Sequence, residues 1–371
     1  MNEKKPPTIK EVFDLALHNH QKNNLKAAEK LYKQILEIKS DHFESTFYLG
    51  SLSIQTKNFD RAKQLLQRAI QIQPDYAPAH NNLGTALIEL GEYQKAISCC
   101  QKAIQNQPNY AAAYNNLGIV FKELEEYQKA ISCCQKAIQI QPNYAAAYNN
   151  LGIVFKELGE YQKAINCCQK AIQIQPNYAR AHQNLMEAYE KTNREIELKY
   201  AISKARTLIK NNSIIKLYEG ILLNRNEKFI EAKNYLESIS FGTREIKNEI
   251  LRVSALAKCY DRIGESDKAF NYFMKANDLF SRISKVKHFD KNKYLRKIEI
   301  RRKFFKKSKI EKWPILKPSG KKQDPIFLIG FPRSGTTLLD TVLRSHPLIE
   351  VVEEKFMVKK LIDSLNQLPN G

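Results

Sequence analysis

Residues 91–118 read GEYQKAISCCQKAIQNQPNYAAAYNNLG, and this stretch recurs almost unchanged at 125–152 and again, with a few replacements, from residue 159. The period is 34 residues, so Tyr93, Ala96, Pro108 and Gly118 have equivalents in the neighbouring copies. A fixed period of this length indicates that the chain stacks copies of one small structural unit.

The pattern inside a unit predicts two helices. Gly84 removes a side chain where the first helix approaches the second, and Ala96 and Ala103 do the same from the second helix. The space between the helices is predicted to be filled by Leu83, Leu87, Ile97 and Cys100. Pro108 cannot continue a helix interior, so it ends the second helix and the next unit follows.

This period, with Leu-Gly in the first helix, Ala near the start of the second and a closing Pro, resembles the tetratricopeptide repeat family. The resemblance implies a superhelix of helical hairpins whose concave groove holds a protein or peptide. The predicted divisions are a flexible N-terminus at 1–8, tetratricopeptide repeats at 9–212, and divergent tetratricopeptide-like repeats at 213–283. The units are predicted to begin at residues 9, 43, 77, 111, 145, 179, 213 and 250.

Pairs of asparagines recur on the first helix of the middle units. The resemblance implies that they bind an extended partner backbone in the groove; they are Asn81, Asn82, Asn115, Asn116, Asn149 and Asn150. Ordinary polarity of a helix surface is the alternative explanation.

Cysteine usage and hydropathy indicate in which cellular compartment the protein is expected. Six of the seven cysteines form adjacent pairs such as Cys99/Cys100, and neighbours on a helix point in different directions. Without His or C-x-x-C spacing these pairs predict small packing residues and no metal site. No apolar run approaches the roughly 20 residues of a membrane span, and the N-terminus lacks a signal peptide's apolar core. We therefore expect a reduced, cytoplasmic protein.

The formal charge of +21 is concentrated in one segment. Residues 282–322 carry seventeen Lys and Arg against three acids. We interpret 284–322 as a basic helical connector, which is either a solvated helix or an attractor for an anionic cofactor or acidic peptide. Aromatic or groove-fitting nucleic-acid modules are not found in the sequence, so no nucleic-acid partner is predicted.

The pattern changes after Gly320. The sequence PIFLIGFPRSGTTLLDTVLRSHP, starting at Pro325, predicts a buried strand, a tight loop and a helix beginning at Thr336 or Thr337. A helix N-terminus presents free N–H groups and a positive dipole end, so the loop is suited to an anion. Ser334 and the two threonines add hydroxyl donors, and Arg333 adds a guanidinium suited to phosphate or sulfate.

The loop nearly fits the nucleotide-binding pattern G-x-x-x-x-G-K-[ST], but Thr336 replaces the lysine, which weakens a prediction of magnesium-nucleotide hydrolysis. The same string closely resembles the loop of sulfotransferases that use 3′-phosphoadenosine 5′-phosphosulfate (PAPS). The fold implied is mostly α: a tetratricopeptide superhelix followed by the start of a P-loop-like α/β sulfotransferase domain at 323–371. By this resemblance the cofactor-binding residues are Arg333, Ser334, Gly335, Thr336 and Thr337.

Tyrosylprotein-type sulfotransferases carry a glutamate shortly after the His-Pro pair, and Glu354 follows His346-Pro347 at the matching position. The sequence therefore resembles this type in particular. Its implied role is general base toward the acceptor hydroxyl, and Arg333 would stabilise charge on the leaving nucleotide. Glu353 is the neighbour most easily confused with Glu354, and an ordinary surface pair is the alternative. No metal is required by this scheme.

The matching segment is short, because a sulfotransferase domain ordinarily needs more than about a hundred further residues to close its sheet. The segment that binds the 3′-phosphate has no counterpart here. Truncation, completion by another chain, and a remnant loop remain open; we favour truncation and expect the chain alone to be inactive. The predicted function is PAPS-dependent sulfuryl transfer to an acceptor hydroxyl such as protein tyrosine, and the alternative is a non-enzymatic adaptor.

Overall fold

A computed structural model describes residues 7–209 and 212–283 as helices joined by short turns. No strand and no helix apolar and long enough to cross a membrane occur within these residues. In chain order the helices are α1 (Ile9–Gln21), α2 (Leu25–Ile38), α3 (Phe43–Gln55), α4 (Phe59–Ile72), α5 (Ala77–Glu89), α6 (Tyr93–Asn106), α7 (Ala111–Glu123), α8 (Tyr127–Ile140), α9 (Ala145–Glu157), α10 (Tyr161–Ile174), α11 (Ala179–Lys191), α12 (Glu195–Leu208), α13 (Ser213–Arg225), α14 (Phe229–Glu237), α15 (Ile246–Ile263) and α16 (Ser266–Ser281).

The helices form antiparallel pairs, and each pair also packs on the next, as expected for a superhelical repeat array. The first helix of each of the first seven pairs starts where the 34-residue period places a unit start. The eighth pair differs, because α15 is 18 residues long and begins at Ile246, before the predicted start at residue 250. A 3-10 turn at Thr243–Glu245 precedes it, following the 9-residue helix α14.

The turn inside each of the first seven hairpins places one residue in the left-handed backbone region. Glycine, which adopts this conformation without steric cost, occupies the position in two hairpins. The full set is Asn23, Lys57, Gly91, Glu125, Gly159, Asn193 and Glu227. The turn geometry is therefore kept even where the residue type is unfavourable.

The two helices of a hairpin approach closely at the glycine that recurs in the first helix of several units. A Cβ on Gly84 would lie 2.8 Å from the Cys100 sulfur, and one on Gly118 would lie 2.6 Å from the Cys134 sulfur. Leu83, Leu87 and Cys100 are all buried beside this contact. The predicted close packing at Gly84 is confirmed, and its nearest partner is the Cys100 thiol rather than Ala96.

The two cysteines of each adjacent pair are buried to different extents. Cys100 is fully buried, and burial raises the pKa of its thiol to about 12. Cys99 is only partly buried, and burial raises the pKa of its thiol to about 11. Both thiols stay protonated near neutral pH, as expected of packing residues. Within the residues described, no group of three or more His, Cys, Asp or Glu is placed to bind a metal.

The N-terminal turn of α1 is fixed by a capping box. The Thr8 hydroxyl accepts from the Glu11 N–H, and the Glu11 carboxylate accepts from the Thr8 N–H at 2.7 Å. The predicted flexible segment 1–8 therefore overlaps a capped helix start at Thr8. The predicted connector at 284–322 and the α/β segment at 323–371 lie outside the described residues.

Candidate functional site

The first helices of successive hairpins are linked by a ladder of side-chain hydrogen bonds donated by asparagine amides. Each rung joins the first helix of one hairpin to the first helix of the hairpin before it, and in each case the later helix donates. The rungs are Asn82 Nδ2 to Ser51 Oγ (3.0 Å), Asn116 Nδ2 to Asn81 Oδ1 (2.9 Å), Asn150 Nδ2 to Asn115 Oδ1 (2.8 Å) and Asn184 Nδ2 to Asn149 Oδ1 (2.8 Å). The ladder therefore spans α3 to α11.

The structure separates the six predicted partner-binding asparagines into two kinds. The first residue of each pair is buried, with 6% exposure for Asn81, 5% for Asn115 and 1% for Asn149. These three accept rungs of the ladder, so they hold repeats together. The second residues, Asn82, Asn116 and Asn150, are partly exposed, which leaves them able to meet a partner. Partner binding by either kind remains a prediction.

The orientation of the Asn116 amide follows from its neighbours. The Thr85 hydroxyl donates its proton to the Asn81 carbonyl at 3.2 Å, so Thr85 Oγ1 can only accept from other groups. Asn116 Nδ2 donates to Thr85 Oγ1 at 3.0 Å and to Asn81 Oδ1 at 2.9 Å. Asn116 Oδ1 has no partner among the described residues and is therefore a free acceptor.

A cleft of about 410 Å³ lies above α5, α7 and α9, and Tyr93 of α6 and Arg180 of α11 also line it. Its apolar lining comes from Ile88, Ile119, Ile153 and the Tyr93 ring, and its amides from Asn116 and Asn150. The lining is thus mixed, with aliphatic side chains beside amides and charged groups.

Charged groups stand at the edges of the same cleft. Lys122 and Glu123 form an ion pair with each other. Glu89 and Arg180, both exposed, have no ion-pair or hydrogen-bond partner within the described part of the chain. Burial raises the pKa of Tyr93, and the nearby Glu123 and Glu89 carboxylates raise it further, so the phenol is neutral and can donate a hydrogen bond.

The ladder and the open groove end at α11. Gln183 Nε2 donates to Asn248 Oδ1 at 2.9 Å, which joins α11 to the first turn of α15. This bond depends on the early start of α15 at Ile246, since Asn248 precedes the predicted unit start. The concave surface that offers ladder amides is thus limited to the hairpins from α3 to α11.

Several groups at this surface were missed by sequence reasoning. Asn184 lies 34 residues after Asn150, so the repeat register could have identified the last rung. Ser51 and Thr85 are likewise 34 residues apart, although their acceptor role depends on their bonds to backbone carbonyls at 3.0 and 3.2 Å. The predicted catalytic and cofactor residues, Glu354 and 333–337, lie outside the described residues.

Known families match two parts of the chain. The tetratricopeptide repeat family matches residues 19–85, 75–143 and 109–177. The sulfotransferase family matches residues 325–370. The chain therefore carries tetratricopeptide repeats, which generally bind protein or peptide partners, and a short segment similar to sulfotransferases.

Solved structures resemble the helical array. A tetratricopeptide repeat protein from Parabacteroides merdae matches with a TM-score of 0.53 and 16% identity, over 68% of this chain and 98% of that one. A human IFIT1 dimer with m7Gppp-AAAA matches with a TM-score of 0.52 and 15% identity, over 74% of this chain and 73% of that one. These likenesses show the fold alone.

The protein MamA shares 27% identity, over 44% of this chain and 96% of that one, with a TM-score of 0.38. No curated protein matches the chain.

Proposed function

We propose that this chain is the recruiting and donor-binding part of a PAPS-dependent sulfotransferase. The repeat array holds a protein or peptide that bears the acceptor hydroxyl, with tyrosine as the acceptor side chain. The segment at 325–370 binds the sulfuryl donor. The observation that carries the proposal is the sulfotransferase family match over the loop PRSGTT, in the same chain as tetratricopeptide repeats.

The donor set of the loop fits an anionic nucleotide. The segment 333–337 combines one guanidinium, three hydroxyls and a glycine, and it contains no carboxylate that would repel a phosphosulfate. Bound PAPS would supply the sulfuryl group. Arg333 would hold the negative charge of the donor, and Glu354 would accept the proton of the acceptor hydroxyl.

The recruiting role is supported by the concave surface. Successive first helices in a repeat array are about 8–10 Å apart, and an extended peptide advances about 3.3 Å per residue. One amide per helix can therefore meet the peptide backbone at about every third residue. Asn82, Asn116 and Asn150 are the partly exposed amides at that spacing.

Donor binding is tested by calorimetry with 3′-phosphoadenosine 5′-phosphate on the full-length protein. Arg333→Ala should weaken binding by about tenfold or more, because it removes a charge-assisted bidentate contact of at least about 1.4 kcal/mol. Arg302→Ala is the matched control, since it removes one charge from the basic segment without touching the loop. A folded full-length protein that does not bind the nucleotide contradicts the proposal.

The general base is tested by Glu354→Gln, with the adjacent Glu353→Gln as the control. We expect the first change to abolish sulfate transfer and to leave nucleotide binding intact, whereas the second should retain turnover. Sulfate transfer that persists in Glu354→Gln removes Glu354 from this role.

A non-enzymatic adaptor is the second candidate, and it is favoured by the tetratricopeptide repeats, which generally bind protein or peptide partners. In that case a groove peptide binds, but the nucleotide does not, and Arg333→Ala has no effect on any measured affinity. Magnesium-dependent ATP hydrolysis would exclude both candidates.

A further inference from the structure

The cleft above α5, α7 and α9 contains three different kinds of binding group in a fixed order along the array. Glu89 belongs to α5, the apolar floor at Ile119 and Ile153 belongs to α7 and α9, and Arg180 belongs to α11. We propose that this cleft binds an extended segment of a partner protein with one basic side chain, a central large apolar side chain and one acidic side chain. The proposal rests on the recruiting role of the groove and specifies its partner.

The two end groups are the only free charges that the cleft offers within the described residues. Lys122 and Glu123 also line it, but they pair with each other and leave no net charge. Lys156, on the neighbouring turn of α9, is bound to Glu187 at 2.6 Å and to Asn184 at 3.2 Å. A basic side chain therefore complements Glu89, and an acidic one complements Arg180.

Glu89 is also unfavourably placed for stability alone. It is the last residue of α5, where the negative end of the helix dipole disfavours a carboxylate. α7 and α9 end in Glu123 and Glu157 in the same way, and Glu89 differs from both because it lines the cleft without an ion-pair partner among the described residues.

The apolar centre is specific to two repeats. The position of Ile119 and Ile153 in the 34-residue register is occupied by Ser51 in α3, Thr85 in α5 and Glu187 in α11. Only α7 and α9 within α3–α11 therefore present an aliphatic side chain there. A large apolar side chain of the partner is accommodated at this point, and its burial is expected to strengthen binding about tenfold or more.

The amides fix the backbone between these anchors. Both N–H groups of Asn116 are used within the ladder, so only its Oδ1 faces a ligand. An oxygen acceptor selects an N–H donor, and a peptide backbone supplies one at each residue other than proline. An extended peptide meets all of these groups at once.

The spacing of the anchors follows from repeat geometry. From α5 to α11 there are three steps of about 9 Å, and an extended chain covers them in about eight residues. The probe is therefore a nine-residue peptide with Lys first, Phe in the centre and Asp last, joined by serines. Its reverse sequence is the second probe, because the groove alone does not fix the direction of the chain.

The test measures binding of both fluorescent peptides to the full chain by anisotropy. One direction should bind more tightly than the other, and the double variant Glu89→Lys with Arg180→Glu should invert that preference. Each ion pair is expected to contribute about two- to fivefold in affinity. Glu157→Lys with Lys136→Glu is the matched control and should leave the preference unchanged, because neither residue lines the cleft.

The apolar anchor has a control taken from the chain itself. Ile119→Thr with Ile153→Thr installs the residue that α5 carries at this position, so the fold is kept. The double variant should bind the Phe peptide about tenfold or more weakly than the unchanged protein does. The peptide with Ala in place of Phe should bind both proteins equally well.

The proposal is overturned if neither peptide binds, if charge reversal leaves the preference as it was, or if the all-serine peptide binds equally well. A chain that dimerises through the cleft, seen by light scattering, also overturns it. Nucleotide calorimetry with Arg333→Ala tests the proposed sulfotransferase function separately. If the protein binds the peptide selectively but does not bind the nucleotide, the sulfotransferase proposal is rejected and the peptide-binding proposal stands.

Discussion

The middle repeats and the last two hairpins solve the same packing problem with different chemistry. From α5 to α10 the hairpins are joined by neutral amides, and their helices meet at a glycine and a thiol. From α13 to α16 a buried ion pair within α15 takes part in the contacts: Arg252 donates to Glu249 of the same helix at 2.6 and 2.8 Å and to the Leu236 carbonyl of α14 at 3.1 Å, and Lys275 of α16 lies 3.5 Å from Glu249. A neutral ladder leaves acceptors free for a partner, whereas a closed ion pair does not.

The largest difference should appear when Arg252 is replaced by alanine. Both members of the pair are buried, so removal of Arg252 leaves the Glu249 carboxylate with only Lys275 at 3.5 Å and the Phe241 N–H at 3.3 Å, at a cost of about 3 kcal/mol. Hydrogen exchange of the α15 amides measures this loss. In the middle repeats Lys163→Ala, which breaks an exposed pair with Glu160, should change stability by less than about 1 kcal/mol.

The same pair makes the last hairpins sensitive to acid. Burial alone would raise the pKa of Glu249, but the hydrogen bonds and charge of Arg252 outweigh it, so the pKa lies below its usual value. The stability that this group contributes is present above the unfolded pKa and is lost as pH falls through the folded pKa. If the stability of α15 does not decrease as the pH is lowered, the role given to Arg252 is contradicted.

The second test concerns the glycine contact that both regions share. A Cβ on Gly118 would lie 2.6 Å from the Cys134 sulfur, so Gly118→Ala should cost about 2 kcal/mol. Cys134→Ala in the same chain removes the obstructing atom and should restore most of that loss in thermal melting. Gly242→Ala, where a Cβ meets nothing within 4 Å, is the control.

The C-terminal counterpart of this contact sharpens the comparison. A Cβ on Gly220 would lie 2.6 Å from the Leu236 side chain, and Leu236 is fully buried. Leu236→Ala would relieve the clash in Gly220→Ala but would leave a cavity, so no rescue is expected there. Equal rescue in both regions would show that the two contacts are equivalent.

These contacts also show which parts of the fold can be predicted from the sequence. The 34-residue period is sufficient to predict where the first helix of each of the first seven hairpins starts, because the middle units repeat the same apolar, glycine and proline positions and fix the register of their neighbours. The early start of α15 is not predictable from that period, since α14 is short and a 3-10 turn follows it. The tertiary contact between Gln183 and Asn248 depends on that shift.

The candidate site divides in the same way. The asparagine pairs are visible as a repeated pattern, but which member is buried depends on the angle at which each helix meets its neighbour. The cleft requires Glu89, Ile119 and Arg180 to converge from three different repeats, and no local pattern records that convergence. Only the PRSGTT loop is identifiable from adjacent residues alone.

The third test breaks one rung of the neutral ladder. Asn149 is buried and accepts from Asn184 at 2.8 Å, so Asn149→Ala should destabilise the α9–α11 joint by about 1.5 kcal/mol. Asn166→Ala on the exposed side of α10 should have little effect. An equal loss in both variants, measured by urea unfolding, would mean that the ladder adds nothing beyond ordinary amide interactions.

The smallest effect concerns the turn that the two regions have in common. Glu125 in the middle repeats has φ of 61° and Glu227, between α13 and α14, has φ of 59°, whereas Gly91 and Gly159 occupy the same register position at 75°. Because a side chain is strained in this conformation, Glu125→Gly and Glu227→Gly should each stabilise their hairpin, by about 1 kcal/mol at most once the extra backbone entropy of glycine is included. Thermal melting of the two variants, with Gly159→Glu as the reverse change, measures it. Equal gains at both sites would place the difference between the two regions entirely in their helix contacts; a gain at only one would show that the turns differ as well.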